Sequence, residues 1–251
     1  TLREISNSYL SLNMLINVDA KALEWYAAVY LSQDPVGMEE LIDGTVDQHS
    51  DNQRRIGLPS RLIAKIFLFR LIFGGTAYAY ASDSDFADVG WNAKKWQAAI
   101  DAFYQKYGGL EKWHTSLVQE VNRTGKLVMP TGRIYTYERY LKRGELILPR
   151  TQILNYPVQG LGADLMTLAR ILFGKSVMKD GLKVSLLSTV HDSILIDSQQ
   201  KYVDKVVEML YNVWNSIPSE FERRFGVKFN LPMRCEVQIG PNWGNMEEVK
   251  L

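Results

Sequence analysis

Two aspartates lie where an apolar, strand-like segment ends, and both have the chemistry of cation ligands. Asp19 follows the apolar segment 10–18, and Asp192 lies between the β-prone runs Val184–Val190 and Ile194–Asp197. Considered alone, Asp19 is typical of a helix N-cap and Asp192 of a turn. Considered together, they offer the two carboxylates that Mg²⁺ prefers when substrate phosphates complete its coordination. Two such ions about 3.5–4 Å apart stabilise the attacking and leaving oxygens of a phosphoryl displacement.

A second group of residues recurs every fourth position along a predicted helix. Arg61, Lys65, Phe69 and Phe73 form one stripe about 18 Å long, cationic at its N-terminal half and aromatic at its C-terminal half. Cations bind a triphosphate, and a flat ring stacks on a base. The alternative is an ordinary amphipathic helix with solvated cations.

The elements that must position these residues divide the chain into β-rich ends and a helical middle. This order predicts an α+β fold and disfavours an alternating parallel α/β fold. A proline and serine before residue 61, and the glycine pair after residue 73, predict a helix over 59–73. The remaining predicted elements are helices over 20–31, 93–107, 109–123 and 201–214, a hairpin over 126–136, a helix from Pro157 to about Met178 and a last strand over Met233–Ile239.

Composition excludes several classes of protein. The 251 residues include 29 Lys and Arg against 28 Asp and Glu, so the net charge of +1 requires any nucleic-acid binding to use a local basic surface. The single cysteine, Cys235, excludes an internal disulfide and a cysteine-rich zinc site and suits a reducing compartment. No apolar run approaches the roughly 20 residues that span a bilayer, so no membrane association is expected.

Six motifs in order now identify a family. Asp19 to Glu24 resembles D-Y-S-x-x-E, Arg61 to Gly74 resembles R-x3-K-x3-F/Y-x3-Y-G, and Val190 to Ser193 resembles V-H-D-E, which are motifs A, B and C of family A DNA polymerases, the bacterial DNA polymerase I type. The other three pieces are Asp47-x-His49, Asn155-x-Pro157-x-Gln159-Gly160-x2-Ala163-Asp164 and Asn242-Trp243. Only 11 residues separate His49 from Arg61, which is similar to the short-fingered phage branch.

The resemblance implies a right-hand polymerase fold and a reaction. A palm made of an antiparallel sheet with helices is expected over 1–36 and 145–251, and a helical fingers insertion over 37–144. Thumb and exonuclease domains are expected to be absent from this chain. In DNA replication, the 3′-hydroxyl of a primer would attack the α-phosphate of a dNTP and release pyrophosphate.

The resemblance also implies a role for each motif residue. Asp19 and Asp192 would be the catalytic residues and would hold two Mg²⁺ ions, with Mn²⁺ as a substitute, helped by the main-chain carbonyl of Ala20. Arg61, Lys65 and His49 would bind the triphosphate of the nucleotide. Phe69 would stack at its sugar and base, and Phe73 would support the templating pocket. Glu24 would lie near the ribose 2′ position and exclude a 2′-hydroxyl. Primer and template would contact His191, Asn155, Gln159, Arg3 and Arg133.

Departures from the family pattern shape the remaining expectations. Ser193 stands where the family has glutamate, Phe73 where tyrosine is usual, and Arg70 where a small glycine would lie, adding a charge near the nucleotide. With only 18 residues before Asp19, the chain is expected to be the C-terminal part of a split or cleaved polymerase. A partner chain would carry the thumb, with or without an exonuclease domain, because thumb contacts to phosphates supply much of the affinity for DNA. A cytoplasmic location in a bacterial or phage-infected cell is expected.

Two other functions remain open at this point. One is a catalytically weak or inert polymerase fold that serves replication by assembly with a partner, an option kept open by Ser193 and the missing thumb. A single-subunit RNA polymerase shares the palm chemistry, but Glu24 argues against it because that class leaves room for a 2′-hydroxyl.

Overall fold

The computed structural model describes residues 13–249, which form two compact units. Unit 1 combines residues up to 23 with those from 162 onward, and unit 2 comprises residues 24–161. These limits differ from those predicted for palm and fingers at 36/37 and 144/145, and the functional division stays a prediction. Arg3 lies outside the described residues.

Helices dominate the middle of the chain and strands its ends. The helices are α1 (Leu23–Ser32), α2 (Pro35–Asp43), α3 (Gln48–Ile56), α4 (Arg61–Ile72), α5 (Ala77–Ser82), α6 (Ala93–Lys106), α7 (Gly108–Thr124), α8 (Arg150–Asp180) and α9 (Val203–Phe225), with short 3-10 turns at Ser84–Val89 and Gln200–Tyr202. The strands are β1 (Asn13–Ala20), β2 (Lys126–Val128), β3 (Ile134–Thr136), β4 (Tyr140–Lys142), β5 (Glu145–Ile147), β6 (Val184–Val190), β7 (Ser193–Gln199), β8 (Cys235–Asn242) and β9 (Asn245–Glu248). Among the described residues, none of the helices has both the length and the apolar character needed to cross a bilayer.

Unit 1 is built on a five-stranded antiparallel sheet in the order β6-β7-β1-β8-β9. The strand from the N-terminal end of the chain is therefore central and pairs on both sides with strands from the C-terminal end. Leu15, Ile16 and Val18 of β1 are fully buried, because a central strand is covered on both faces. Helix α9 contributes an apolar face that includes Leu210 and Trp214.

Unit 2 has a core of aromatic rings. The indole of Trp96 stacks on Phe67 and Tyr80, with ring centroids 5.9 and 5.1 Å apart. The Tyr80 hydroxyl donates a hydrogen bond to the carbonyl of Phe67 at 3.0 Å, which satisfies the polar end of a buried side chain. Trp25 of α1 contacts Phe103 of α6 edge-on, at 6.4 Å between centroids. The rings thus connect helices α1, α4, α5 and α6.

A buried charged network links α2, α3 and α6. The ammonium of Lys106 lies 2.5 Å from Glu40 Oε1 and 2.7 Å from Asp51 Oδ2. The Tyr107 hydroxyl donates to Glu40 Oε2 at 2.8 Å. Because a buried charge is tolerated only when it is paired, these contacts fix the register of the three helices.

Two helices extend beyond their predicted limits. Helix α8 begins at Arg150, not after Pro157, and Pro157 lies inside it. Proline removes one backbone hydrogen bond, but Ile153, Leu154 and Val158 on either side of it are fully buried, so packing outweighs that loss. Helix α9 likewise continues through Pro218 to Phe225.

Two hairpins were absent from the prediction. Strands β4 and β5 are joined by Arg143 and Gly144, both with positive φ (52° and 85°), which is the geometry of a tight two-residue hairpin turn. In the β8–β9 hairpin, a Cβ on Gly240 would lie 1.9 Å from the Asn245 carbonyl oxygen, so only glycine fits. Strands β4, β5 and β9 have only three or four residues, and their periodicity in the sequence is correspondingly weak.

One buried carboxylate begins two helices of unit 2. Asp34 Oδ1 accepts a hydrogen bond from the amide of Gly37 in α2 at 2.9 Å. Its Oδ2 accepts from the amides of Gly109 and Leu110 in α7 at 2.7 and 3.2 Å. A Cβ on Gly109 would lie 2.8 Å from Oδ2, so glycine is required for this approach. Asp34 therefore connects two helices that are distant in the sequence.

We expect Asp34→Ala to lower the free energy of unfolding by about 3 kcal/mol, because three buried amides lose their acceptor. The matched control is Asn92→Ala, which removes an exposed cap with one bond, Asn92 Oδ1 to the Lys95 amide at 3.0 Å. The control should cost about 1 kcal/mol. Urea unfolding of the two variants measures the difference, and equal losses would contradict the double-cap interpretation.

Candidate active site

The two predicted metal-binding aspartates come from neighbouring positions of the sheet in unit 1. Asp19 lies one residue before the end of β1 and pairs with Ser193, the first residue of β7. Asp192 lies in the turn just before that residue. The amide of Ala20 donates to the carbonyl of Asp192 at 2.8 Å, so the backbone itself links the two positions. Both aspartates are half-buried.

The turn that carries Asp192 has an unusual backbone. His191 has a φ of +53°, a conformation that residues other than glycine adopt rarely and that occurs often at functional turns. The Ser193 hydroxyl donates to the Val190 carbonyl at 3.0 Å and so closes the turn. His191 is exposed at its tip.

The carboxylates of Asp19 and Asp192 have the chemistry of ligands for a cation that arrives with substrate phosphates. Within 13–249, no cluster of three or more His, Cys, Asp or Glu side chains is arranged to hold a metal. Asp19, Asp192 and the main-chain carbonyl of Ala20 stay the predicted oxygen donors. Mg²⁺ is commonly bound by one or two carboxylates plus phosphates, and not by an all-protein cage.

Two charged residues next to Asp19 were not singled out from the sequence. Glu236 of β8 pairs directly with Asp19, and Lys21 Nζ lies 2.9 Å from Glu236 Oε1. Cys235 pairs with Ala20, and burial together with the charges of Glu236 and Asp19 raises the pKa of its thiol to about 12. Side chains alternate between the two faces of a strand, so the sequence assigns Glu236 to one face of the sheet. Only the strand pairing shows that Asp19 is its neighbour.

In unit 2, four of the predicted nucleotide-binding residues lie together. Arg61 and Lys65 are exposed in the first two turns of α4, whose N-terminus is capped by Ser60 through a 3.2 Å bond to the Ile63 amide. Lys65 Nζ lies 5.8 Å from the centroid of the Phe69 ring. The His49 ring lies 5.9 Å from the same ring. The positive end of the helix dipole adds to the field of the two cations.

Asp47 holds two of these residues. It is the N-cap of α3, and its Oδ1 accepts from the His49 amide at 3.1 Å. Its Oδ2 and Oδ1 accept from Arg61 Nε at 2.6 Å and Nη2 at 3.3 Å. Although partial burial opposes ionisation, hydrogen bonds from Arg61 and Ser50 hold the pKa of Asp47 well below its usual value. One carboxylate therefore orients the guanidinium of Arg61 and the helix that carries His49.

His49 is a neutral imidazole at pH 7. Burial, and then the positive charges of Arg61 and Lys65, lower its pKa to about 4, although the negative charge of Asp47 acts in the opposite direction. No described residue hydrogen-bonds to its Nδ1 atom.

The remaining predicted residues of unit 2 occupy separate elements. Phe73 is the half-buried C-cap of α4, and Glu24 is a half-buried residue in the first turn of α1. Asn155 and Gln159 lie one turn apart on α8. Arg133 is exposed in the loop between β2 and β3.

The β2–β3 hairpin lies against α8. A Cβ on Gly160 would lie 1.8 Å from Tyr135 Oη and 3.4 Å from Arg133 Cδ. The missing side chain at Gly160 thus leaves space on α8 for Tyr135 and for the stem of Arg133.

Arg70 was expected to add a charge near the nucleotide. Its guanidinium pairs with Asp83 and, at 2.5 Å, with Asp85. It also stacks over Phe86, 5.2 Å from the ring centroid. The two aspartates that follow α5 therefore neutralise the charge of Arg70, and the aromatic ring next to them packs against its guanidinium.

Comparison with known proteins identifies the family and the fold. A family model described as DNA polymerase family A matches residues 4–245. DNA polymerase I of Aquifex aeolicus is 25% identical over 212 residues, which are 79% of this chain and 34% of the relative. DNA polymerase I of Treponema pallidum is 24% identical over 245 residues, 92% of this chain and 23% of the relative. The chain thus spans about a third or less of these relatives.

A solved structure has the same fold. It is titled as the POL domain of Pol1 from M. smegmatis in complex with DNA primer-template and dNTP, and it superposes with a TM-score of 0.80 at 18% identity. The match covers 96% of this chain and 42% of that one. The predicted α+β fold, an antiparallel sheet with helices as in a polymerase palm and fingers, is confirmed. The chain belongs to DNA polymerase family A.

Proposed function

We propose that this chain is the polymerase module of a DNA-templated DNA polymerase and adds dNTPs to a primer 3′-hydroxyl by two-metal-ion phosphoryl transfer. One observation carries the proposal: Asp19 and Asp192, distant in the sequence, occupy adjacent positions of one sheet through the Ala20–Asp192 backbone bond. Membership of DNA polymerase family A supports the same proposal.

The two aspartates and the Ala20 carbonyl would hold the metal. When bound, Mg²⁺ or Mn²⁺ supplies a Lewis acid that activates the primer hydroxyl and stabilises the pyrophosphate leaving group. The protein contributes two fixed carboxylates, and the half-burial of both limits the water that competes for the cation.

The cluster in unit 2 would bind the dNTP. Arg61 and Lys65 neutralise the triphosphate, and Asp47 keeps the guanidinium of Arg61 oriented before the nucleotide arrives. Phe69 offers its ring to the sugar and base, and Phe73 supports the templating pocket. Glu24 excludes a 2′-hydroxyl, which makes the substrate a deoxynucleotide.

Primer-template DNA would be the second substrate. The M. smegmatis relative is titled as a complex with DNA primer-template and dNTP, which supports the same partners here. His191, together with Arg133, Asn155 and Gln159, would contact the primer end or the template, and Arg3 would contribute from outside the described residues. A thumb-bearing partner chain and a cytoplasmic location belong to the same proposal.

We expect Asp192→Asn to lower nucleotide incorporation about 1,000-fold, because the amide cannot replace a carboxylate that stabilises several kcal/mol of developing charge. The control, Asp180→Asn, removes an exposed carboxylate paired with Lys205 in the same unit and should leave incorporation unchanged. Single-nucleotide primer extension with Mg²⁺, with and without a thumb-bearing chain, measures the effect.

Incorporation that is equal in Asp192→Asn and in the unaltered chain would overturn the proposed mechanism. If neither protein extends a primer in any combination, the chain instead serves replication as an inert polymerase fold that acts by assembly.

We expect Glu24→Ala to raise the incorporation of rNTPs relative to dNTPs by about 10- to 100-fold, because removal of a side chain opens space worth about 1–3 kcal/mol of discrimination. Incorporation of dNTPs should fall much less. Competition between the two nucleotides in primer extension measures the ratio. A ratio unchanged by the substitution would exclude Glu24 as the sugar gate.

We expect the ring of His49 to be neutral at pH 6 in the free protein and to gain a proton when a triphosphate binds. A polyanion next to the imidazole favours its charged form and so raises the pKa from about 4. Binding should therefore tighten as pH falls. Nitrogen chemical shifts of the ring, recorded by NMR with and without inorganic triphosphate, report the change.

His114 is the internal control for that experiment. It is buried, its Nδ1 lies 2.9 Å from the Tyr104 hydroxyl, and burial lowers its pKa to about 4 as well. Triphosphate should leave its signals unchanged. Equal responses of His49 and His114 would place the anion elsewhere.

A further inference from the structure

A third carboxylate lies beside Asp19. In an antiparallel sheet, directly opposite residues project from the same face with Cβ atoms about 4.5–5.5 Å apart. Asp19 has two such neighbours, Ser193 on β7 and Glu236 on β8. Ser193 is short, and its hydroxyl is bonded to the carbonyl of Val190. The acidic neighbour of Asp19 is therefore Glu236.

Glu236 is held by a lysine. Lys21 Nζ lies 2.9 Å from Glu236 Oε1, and the two side chains are 56% and 45% exposed. The amide of Lys21 donates to the Arg234 carbonyl at 3.0 Å, which fixes the start of this side chain beside β8. The positive charge thus lies two residues after Asp19 and is anchored by both its backbone and its ammonium.

We propose that Lys21 masks Glu236 and thereby sets how tightly the site at Asp19 and Asp192 binds a divalent cation. With Lys21 in place, the pair Lys21–Glu236 is neutral and the cation meets two carboxylates. Without Lys21, the Glu236 side chain is free to turn toward Asp19 and supply a third. This inference rests on the proposed function, because it takes Asp19 and Asp192 as the metal-binding residues.

The proposal predicts effects of opposite sign for the two members of the pair. Lys21→Ala removes a repelling charge and frees a carboxylate, so the affinity for Mn²⁺ should rise about tenfold. Glu236→Gln leaves the ammonium of Lys21 unopposed near the site, so the affinity should fall about fivefold. In the double variant neither position carries a charge, so its affinity for Mn²⁺ should be close to that of the unaltered chain. If the ion pair served only stability, both single variants would change the affinity for Mn²⁺ in the same direction.

The experiment titrates the full chain with Mn²⁺ and measures free Mn²⁺ by EPR spectroscopy, without nucleotide or DNA. The matched control is Lys205→Ala, which breaks an ion pair of similar length, 2.8 Å to Asp180 Oδ2, in the same unit. Its affinity for Mn²⁺ should be unchanged. Thermal unfolding of each variant establishes that the fold is retained.

Two further variants separate the inference from the proposed function. Asp19→Asn and Asp192→Asn should each abolish the site. If they do and the Lys21 and Glu236 variants bind Mn²⁺ equally, or shift in the same direction, the masking role is overturned while the metal site stands. If the aspartate variants bind Mn²⁺ as the unaltered chain does, the metal site and the inference are both overturned.

Discussion

The pairing of β1 with the β6–β7 hairpin is the constraint on which the candidate active site depends. The backbone bond from Ala20 to Asp192 and the register of Asp19 opposite Ser193 bring two distant segments together. Side chains alternate across a strand, so a shift of one residue would turn Asp19 to the other face. Leu15, Ile16 and Val18 resist such a shift, because they are packed in the core on both faces of the sheet and would have to repack. The hydrophobic core thus fixes the position of a carboxylate.

A helix cap has the corresponding role in unit 2. Asp47 begins α3 and simultaneously pairs with Arg61, which is the first residue of α4. The cap places His49 beside Phe69, and burial together with the neighbouring cations lowers the pKa of its imidazole. A local rule of helix formation therefore also orders the charges that are proposed to meet a triphosphate. Preorganisation of this kind lowers the cost of binding, since fewer side-chain conformations are lost.

The departures from the family pattern have different consequences in three dimensions. Arg70 is neutralised by acidic neighbours and belongs to the packing of unit 2. Ser193 removes a negative charge next to Asp19, while Glu236 keeps one on the opposite strand and Lys21 compensates it. Whether a substituted residue affects chemistry thus depends on its spatial neighbours, and the sequence spacing of the motif does not show them.

The sequence by itself determined the family, the α+β class and most helices, because motif spacing, caps and glycine stops are local signals. Helix α4 begins and ends within two residues of its predicted limits. Tertiary structure alone decided that Pro157 lies inside a helix, that Asp34 begins two helices, that Arg70 faces acids and that Glu236 lies opposite Asp19. Each of these depends on contacts between residues far apart in the chain, whose energies exceed local propensity and leave no periodic trace in the sequence.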